Sequence, residues 1–362
     1  MPGVGPGDRR RIVDYLVTGG SGFIGSYFVP LLLRAGHGVT ILDLVRPDFD
    51  CGGARVVVGD VRDERAVASA IEGCGRVLHL AAAHHDFGIS EKTYYDVNEN
   101  GARLLCAQMD RAGITDCCFY SSVAVFGSAP KPRDEEQTPQ PLSPYGASKL
   151  AAERVFREWT QRGGGRQCLV IRPTITFGVN NFANMYSLIR QLASRPFVPI
   201  GDGSNIKSLS YVENIVEATM FLWDRPGRPA FDLYNYVDKP DLTSRQICET
   251  ILSALGKKPA SWHVPLWLAC LAALPFDVVI RLTGRNLPIS SARIRKLFAT
   301  ETLFEAEKVR RAGFEARVPL RDGIEKMVRW YVAEGRNKTP FWRTPPEQIG
   351  GPVGQASLAS AD

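Results

Sequence analysis

Gly19, Gly22 and Gly25 recur at every third position between an apolar run, Ile12–Thr18, and a helical pattern that opens near Gly22. In a strand–turn–helix unit Gly19 permits the sharp turn, Gly22 lets the backbone approach a pyrophosphate, and Gly25 lets helix and strand pack closely. The helix N-terminus adds unpaired N–H groups and a partial positive charge suited to phosphates. Phe23 and Ile24 lie on the same loop and join it as cofactor contacts. A second apolar run, Val39–Leu42, ends in Asp43, 18 residues beyond Gly25. A carboxylate there can hold both hydroxyls of an adenosine ribose and repels a 2′-phosphate, so the pattern points to a dinucleotide and favours NAD over NADP. Arg46, three residues on, weakens that preference.

Apolar runs then alternate with helical patterns. Ala54–Val58 precedes Glu64–Ile71, Val77–Leu80 precedes Tyr94–Ala112, Cys117–Tyr120 precedes Tyr145–Trp159, and Leu169–Arg172 follows. This βα rhythm predicts an α/β fold, a doubly wound parallel sheet with helices on both faces. Asp60 and Val61 follow the third run, and Leu80, Ala81 and Ala82 close the fourth. Both stand at carboxyl ends of strands, where open α/β sheets bind ligands. After Gly178 the rhythm changes: Asn184–Ala193 and Val212–Trp223 read as helices, a strand is expected near Asp232–Val237, and 241–335 is mostly helical. The expected organisation is a leader over 1–11, a dinucleotide-binding domain over 12–180, and a smaller, mostly helical and mainly substrate-binding lobe over 181–335. Residues 207–240 partly return to the first domain, and 336–362 reads as a flexible tail.

With 362 residues, 44% of them hydrophobic, the chain can bury a large core. Its net charge of +6 is scattered, with no aromatic-interleaved basic stripe, which argues against a nucleic-acid partner. Eight cysteines show no CxxC spacing. They read as reduced thiols of a cytoplasmic protein, not as a disulfide frame or a metal site. The basic start is not followed by an apolar h-region, so no signal peptide is expected.

Ser121-Ser122 ends the fifth apolar run, and Tyr145-Gly-Ala-Ser-Lys149 opens the next helix. Tyrosine and lysine at i and i+4 share one helical face. The Lys149 ammonium lowers the phenol pKa of Tyr145 and can hold a nicotinamide ribose. Tyr145 then takes a proton from a substrate alcohol as hydride leaves, and the Ser122 hydroxyl polarises the same oxygen. Tyr145, Lys149 and Ser122 are the candidate catalytic residues.

These pieces resemble the extended short-chain dehydrogenase/reductase superfamily across residues 12–335. The matching stretches are TGGSGFIG (18–25), GDV (59–61), YYDVNENG (94–101), SSVAVFG (121–127), YGASK (145–149) and YVENIVEA (211–218). The resemblance implies a Rossmann fold, NAD as cofactor, Asp60 and Val61 beside the adenine, Asn98 as a helix asparagine near the cofactor, and Pro173 in the cofactor wall. It also implies a homodimer. The nucleotide-sugar 4,6-dehydratases of this superfamily carry an Asp-Glu pair directly after the strand-end hydroxyl residue. Val123-Ala124 stands there in this chain and cannot move protons. Hydride transfer with a single acid/base remains: epimerisation, or simple oxidation and reduction.

A closer resemblance, in REW (157–159), IRPTITFG (171–178), YNYVDKPDL (234–242) and SSARIRKLFAT (290–300), is to bacterial 4-epimerases acting on undecaprenyl-pyrophosphate-linked N-acetylglucosamine in O-antigen and surface-polysaccharide synthesis. It implies Asn184, Lys207, Arg295 and Lys296 as sugar-pyrophosphate contacts and a transient 4-keto sugar. Lys207 stands where many UDP-sugar epimerases use arginine, and His84 where a lysine is common, so an ordinary UDP-hexose is less favoured. A UDP-sugar epimerase and a 3β-hydroxysteroid-type dehydrogenase or ketone reductase remain the alternatives. A dinucleotide-binding redox sensor is the non-enzymatic one.

The run Trp262–Leu282 is the most apolar in the chain, interrupted by Pro275 and Asp277 and flanked by basic residues. Two readings stay open: a buried helix pair or dimer contact, or a segment resting on anionic lipid at the cytoplasmic face of the membrane.

Overall fold

The computed structural model describes residues 12–84, 89–129, 131–194, 199–259, 263–283, 291 and 301–338. The leader, nearly all of the tail, and the Arg295 and Lys296 contacts lie outside the described residues. Eleven strands are described: β1 (Tyr15–Thr18), β2 (Val39–Asp43), β3 (Arg55–Val58), β4 (Arg76–His79), β5 (Asp116–Tyr120), β6 (Gln167–Pro173), β7 (Ile175–Phe177), β8 (Ile206–Lys207), β9 (Leu209–Tyr211), β10 (Phe231–Tyr236) and β11 (Leu242–Thr243). Seven of them form one sheet in the order β10-β6-β5-β4-β1-β2-β3, every pair parallel. Two small pairs, β7 with β9 and β8 with β11, stand apart from it.

Strand alternation explains why the apolar runs are continuous. In β1 Leu16 faces one core, while Tyr15 and Val17 face another. In β5 Cys117 and Phe119 take the first side, and Cys118 and Tyr120 the second. Helices α2 (Glu64–Ile71), α4 (Gly101–Arg111) and α5 (Pro144–Gln161) cover the first face through Val67, Leu105 and Phe156. Helices α1 (Gly25–Arg34) and α7 (Val212–Trp223) cover the second through Phe28, Leu32, Ile215 and Trp223. A sheet buried on both faces cannot alternate polar and apolar residues.

A third core joins α6 (Asn184–Ser194), α8 (Ser244–Ala254) and the helix Leu320–Ala333 through Ile189, Ile251, Ile324 and Met327. A capping box fixes the start of α8, with Thr243 and Gln246 each satisfying the other's backbone N–H. Within 207–240, α7 and β10 pack on the large sheet.

Two elements differ from their expected form. Helix α1 begins at Gly25, three residues late, because Gly19–Ile24 is used in the turn, although Ser26 N–H already reaches Gly22 O at 2.9 Å. The single helix expected over Tyr94–Ala112 is three pieces: α3 (Glu91–Tyr95), a π-helical turn at Asp96–Asn100, and α4. A wider turn of this kind re-aims one side chain, here Asn98.

Candidate active site

Between β1 and β4 the chain order of the sheet reverses, and the crevice outside the strand ends at such a point is where open α/β sheets bind ligands. Gly19 closes the β1 turn at φ +70°, and a Cβ there would come within 2.6 Å of Ala81 N. Gly25 lies so close under Gly20 that a Cβ would meet its carbonyl oxygen at 2.3 Å. Together they press the loop down and leave a cavity of about 570 Å3 above it.

The cavity gathers most of the residues singled out in the sequence. Gly19, Gly22, Phe23, Ile24 and Gly25 come from the first turn, Asp43 from the end of β2, and Asp60 and Val61 from beyond β3. Leu80, Ala81, Ala82 and His84 follow β4, and Ser122, Tyr145, Lys149, Pro173 and Asn184 complete the wall. Ser21, Thr174 and Thr176 line it too and were not anticipated. Ser21 sits inside the glycine loop, so position alone was a signal; the two threonines sit where β6 gives way to β7, a break that periodicity does not reveal.

Asp43 is a prepared acceptor. Its carboxylate takes the Ser21 N–H at 2.9 Å, and the Leu44 and Val45 N–H groups also reach it. Burial pushes its pKa up, and those three donors hold it back. Asp60, by contrast, has its carboxylate engaged by the Arg62 guanidinium at 2.6 Å.

At the other end of the cavity Ser122 caps the short turn Val123–Phe126, its Oγ accepting from Ala124 N–H at 3.1 Å. Ser143 caps α5 by accepting from Gly146 N–H at 3.1 Å, and Pro144 occupies the first turn. That places Tyr145 at the helix mouth, its ring 6.3 Å from that of Tyr94. One turn on, Lys149 is buried with its ammonium 4.5 Å from the centre of the Phe119 ring. Burial pushes its pKa down to about 7, with the Glu153 carboxylate opposing. His79 behind it is pushed down to about 3, by burial first and then by the Lys149 charge, so the imidazole is neutral.

Asn98 and Lys207 are outside the cavity wall. Asn98 is buried behind it, accepting from Ala83 N–H at 2.8 Å and donating to Ala83 O at 3.1 Å and Ser148 Oγ at 2.9 Å. Both ends of its amide are therefore used to fix the β4 loop and α5, so it acts on the cavity through the backbone and not by touching it. Lys207 is on β8, its pKa lowered by burial and by the neighbouring Lys131 charge. His84 is exposed at the cavity edge, with Nδ1 3.2 Å from Ala82 O.

The model of the NAD dependent epimerase/dehydratase family matches residues 15–235. The chain belongs to that family. It is 37% identical over 318 residues, 88% of its own length and 95% of the other's, to N-acetyl-alpha-D-glucosaminyl-diphospho-ditrans,octacis-undecaprenol 4-epimerase of Escherichia coli O157:H7. It is 28% identical to UDP-glucose 4-epimerase of Vibrio cholerae, over 77% of this chain and 88% of that one. Its fold is shared by the solved UDP-glucose 4-epimerase of Thermus thermophilus in complex with NAD, with a TM-score of 0.67 and 22% identity over 89% of this chain and 99% of that one.

As a member of the epimerase/dehydratase family, the chain uses NAD, and the cavity fits it. The glycine loop offers backbone N–H groups for a pyrophosphate, Asp43 a carboxylate for ribose hydroxyls, and Val61 and Leu80 apolar surface for a base. Size does not single out this cavity. An open groove of about 990 Å3 beyond α5, between Asp134–Pro139 and the helix Glu307–Arg311, is larger, but it contains none of the candidate catalytic, cofactor or substrate residues, although Glu153 and Arg172 border it. Directly after Ser122 the chain carries Val123 and Ala124, so no carboxylate stands next to the strand-end hydroxyl.

Replacing Asp43 with Ala would remove the carboxylate expected to accept from the ribose. A hydrogen bond to a charged group contributes about 1.5–3 kcal/mol, so NAD affinity should fall roughly 10–100-fold while NADP affinity changes little. Paired titrations with both dinucleotides check this. A wild-type protein that prefers NADP would contradict the role given to Asp43.

Proposed function

We propose that this protein is an NAD-dependent 4-epimerase of a pyrophosphate-linked N-acetylhexosamine, interconverting the N-acetylglucosamine and N-acetylgalactosamine forms, with a polyprenyl carrier preferred over UDP. The observation that carries the reaction class is the wall of the cavity itself. Ser122, Tyr145 and Lys149 line the same wall and no carboxylate follows on the Val123–Phe126 turn, which supports Tyr145 as the acid/base group.

Bound NAD supplies the hydride acceptor. The chain's residues supply the rest. Tyr145 takes the proton of the C4 hydroxyl, Ser122 donates a hydrogen bond to the same oxygen, and the Lys149 ammonium stabilises the phenolate. The 4-keto sugar turns in the cavity, and Tyr145 returns the proton when the alcohol re-forms on the opposite face. Acid, base and cofactor end as they began, so no second substrate is consumed. Asn184 and His84 at the cavity edge, with Lys207, Arg295 and Lys296, are proposed to meet the sugar and its pyrophosphate.

The polyprenyl carrier is supported by the Escherichia coli relative's name and by the helix α9 (Leu266–Thr283). Pro275 lies inside α9 and does not end it. Its small residues Ala269, Cys270 and Ala273 are buried. Trp267, Leu271, Leu274, Val278 and Leu282 follow one another at helical spacing and are exposed, Leu282 at 80%. Among the described residues, eight of the thirteen exposed large hydrophobics are on this one helix, so the face is a concentrated patch and not scattered surface. Lys258, exposed, precedes it, Arg281 lies in its last turn, and four basic residues follow it over 285–296 in the sequence. Among the described residues no helix is long and apolar enough to cross a membrane. An apolar face with flanking cations suits the surface of an anionic bilayer, where a polyprenyl-linked pyrophosphate resides.

The protein should bind anionic vesicles at low salt and release them at high salt. The double variant Trp267→Ser, Leu271→Ser should bind at least about tenfold less, since burying each side chain contributes about 1.5–3 kcal/mol. Turnover of a polyprenyl-pyrophosphate-linked sugar should fall more than turnover of UDP-N-acetylglucosamine. If α9 is instead the contact of the proposed homodimer, the substitutions release monomers and vesicle binding is absent from the start. Exclusive turnover of the UDP-sugar would overturn the carrier assignment.

A further inference from the structure

Behind the cavity lies a layer of charge that the proton transfer does not use. Glu153 is one helical turn after Lys149 on α5, and Arg172 is near the end of β6. Lys149, Glu153 and Arg172 are 2%, 3% and 3% exposed. Arg172 grips the carboxylate with two bonds, Nε to Oε1 at 2.8 Å and Nη2 to Oε2 at 2.6 Å. Oε1 also accepts from the hydroxyl of Ser121, the residue before Ser122. The remaining Arg172 amino group, Nη1, is buried without a hydrogen-bond partner, and the guanidinium lies over Phe126 at 4.9 Å.

Stability is a poor reason for this arrangement. A buried ion pair is commonly matched or bettered by apolar residues of similar volume, and here one amino group is left unsatisfied as well. Position is a better reason. The groups around the Lys149 ammonium are the Phe119 ring on β5, the neutral His79 on β4, Tyr145 and Glu153 on its own helix, and Arg172 on β6 held against Glu153. Of these, Glu153 is the fixed negative charge. It favours the ammonium that burial disfavours. Through Ser121 it also touches the strand end that carries Ser122.

We propose that Glu153 is a positioning residue for epimerisation: clamped by Arg172, it sustains the charge of Lys149 beneath Tyr145 and, through Ser121, fixes the strand end that presents Ser122. The proposal rests on the acid/base reading of Tyr145 and Lys149 given above. Glu153→Gln keeps the shape and the acceptor for Ser121 but removes the charge. At the roughly 5–6 Å typical of i, i+4 neighbours on a helix and an effective dielectric constant of about 20, one charge shifts a neighbour's titration by roughly two pH units. Without Glu153 the ammonium loses its proton at lower pH, so the alkaline limb of kcat should move to lower pH by about that amount. The KM for the sugar should stay near the wild-type value.

The test follows Lys149 directly, by NMR titration of protein carrying isotope-labelled lysine, and in parallel the pH profile of kcat. It uses wild type, Glu153→Gln, Glu153→Asp and the doubly neutral Glu153→Gln, Arg172→Met, which removes the orphaned guanidinium and decides the matter if the single variant fails to fold. The expected result is a lowered Lys149 titration and a shifted kcat limb in both neutral variants, with Glu153→Asp returning both towards wild type. An unmoved Lys149 titration in the folded neutral variants overturns the proposal. So does a moved titration with an unmoved kcat limb in an enzyme that Tyr145→Phe inactivates. An enzyme that survives Tyr145→Phe fails the acid/base reading itself, which separates the two failures.

Discussion

Tyr145→Phe should leave folding and NAD binding near wild type while lowering turnover by ~10²–10⁴-fold, the usual contribution of a positioned acid/base group. The ring stays in place beside Tyr94 and only the phenol oxygen is lost. The side chains nearest it in the helix and at the strand end offer no ready substitute. Lys149 is buried one turn deeper over Phe119, Ser122 has an ordinary hydroxyl already capping a turn, and Val123 and Ala124 carry no proton. Both directions of epimerisation should fall together, because the same oxygen takes and returns the proton. Single-turnover rates beside NAD-binding titrations check the split. A Tyr145→Phe protein with near-normal turnover would remove Tyr145 from the mechanism.

The largest effect on the cofactor should come from Gly25→Ala. The new Cβ would lie 2.3 Å from Gly20 O and 2.6 Å from Gly20 C and Cα, all backbone atoms that cannot rotate away. The loop must then lift off the first turn of α1, where the pyrophosphate is to be held. Overpacking of this kind typically costs about 1–3 kcal/mol of stability, and the displaced N–H groups should lower NAD affinity further. The control is Gly36→Ala, whose φ of +84° is left-handed, unlike the helical Gly25, but whose Cβ meets nothing within 4 Å. It should lose some stability to backbone strain and retain NAD. Thermal unfolding and NAD content of the two purified variants give the comparison; full NAD occupancy in Gly25→Ala would contradict the close-packing role.

What was readable in the sequence is what short-range pattern encodes. The glycine spacing, the carboxylate ending β2 and the Tyr145–Lys149 interval each lie within a few residues, and the cavity contains all of them. The boundaries of α2 and α7 match their patterns for the same reason. What was not readable depends on residues far apart in the chain. Asn98 looked like a cofactor contact, but the π-helical turn aims it at Ala83 and Ser148, behind the wall. Arg172 and Glu153 are 19 residues apart, and nothing local announces that strand β6 and helix α5 join them. The α9 run was plainly apolar, but whether it covered a core or faced outward depended on which side the small residues took. Ala269, Cys270 and Ala273 took the inside.

The central claim, that hydride leaves C4 and returns to the same carbon, is tested most directly with a pyrophosphate-linked N-acetylglucosamine deuterated at C4 and purified protein with catalytic NAD. The account predicts a mixture of the two C4 epimers, with deuterium retained on C4 in both and no accumulation of reduced cofactor. Stoichiometric NADH with a 4-keto or otherwise oxidised product, or epimers that have exchanged their C4 deuterium for solvent hydrogen, would contradict it.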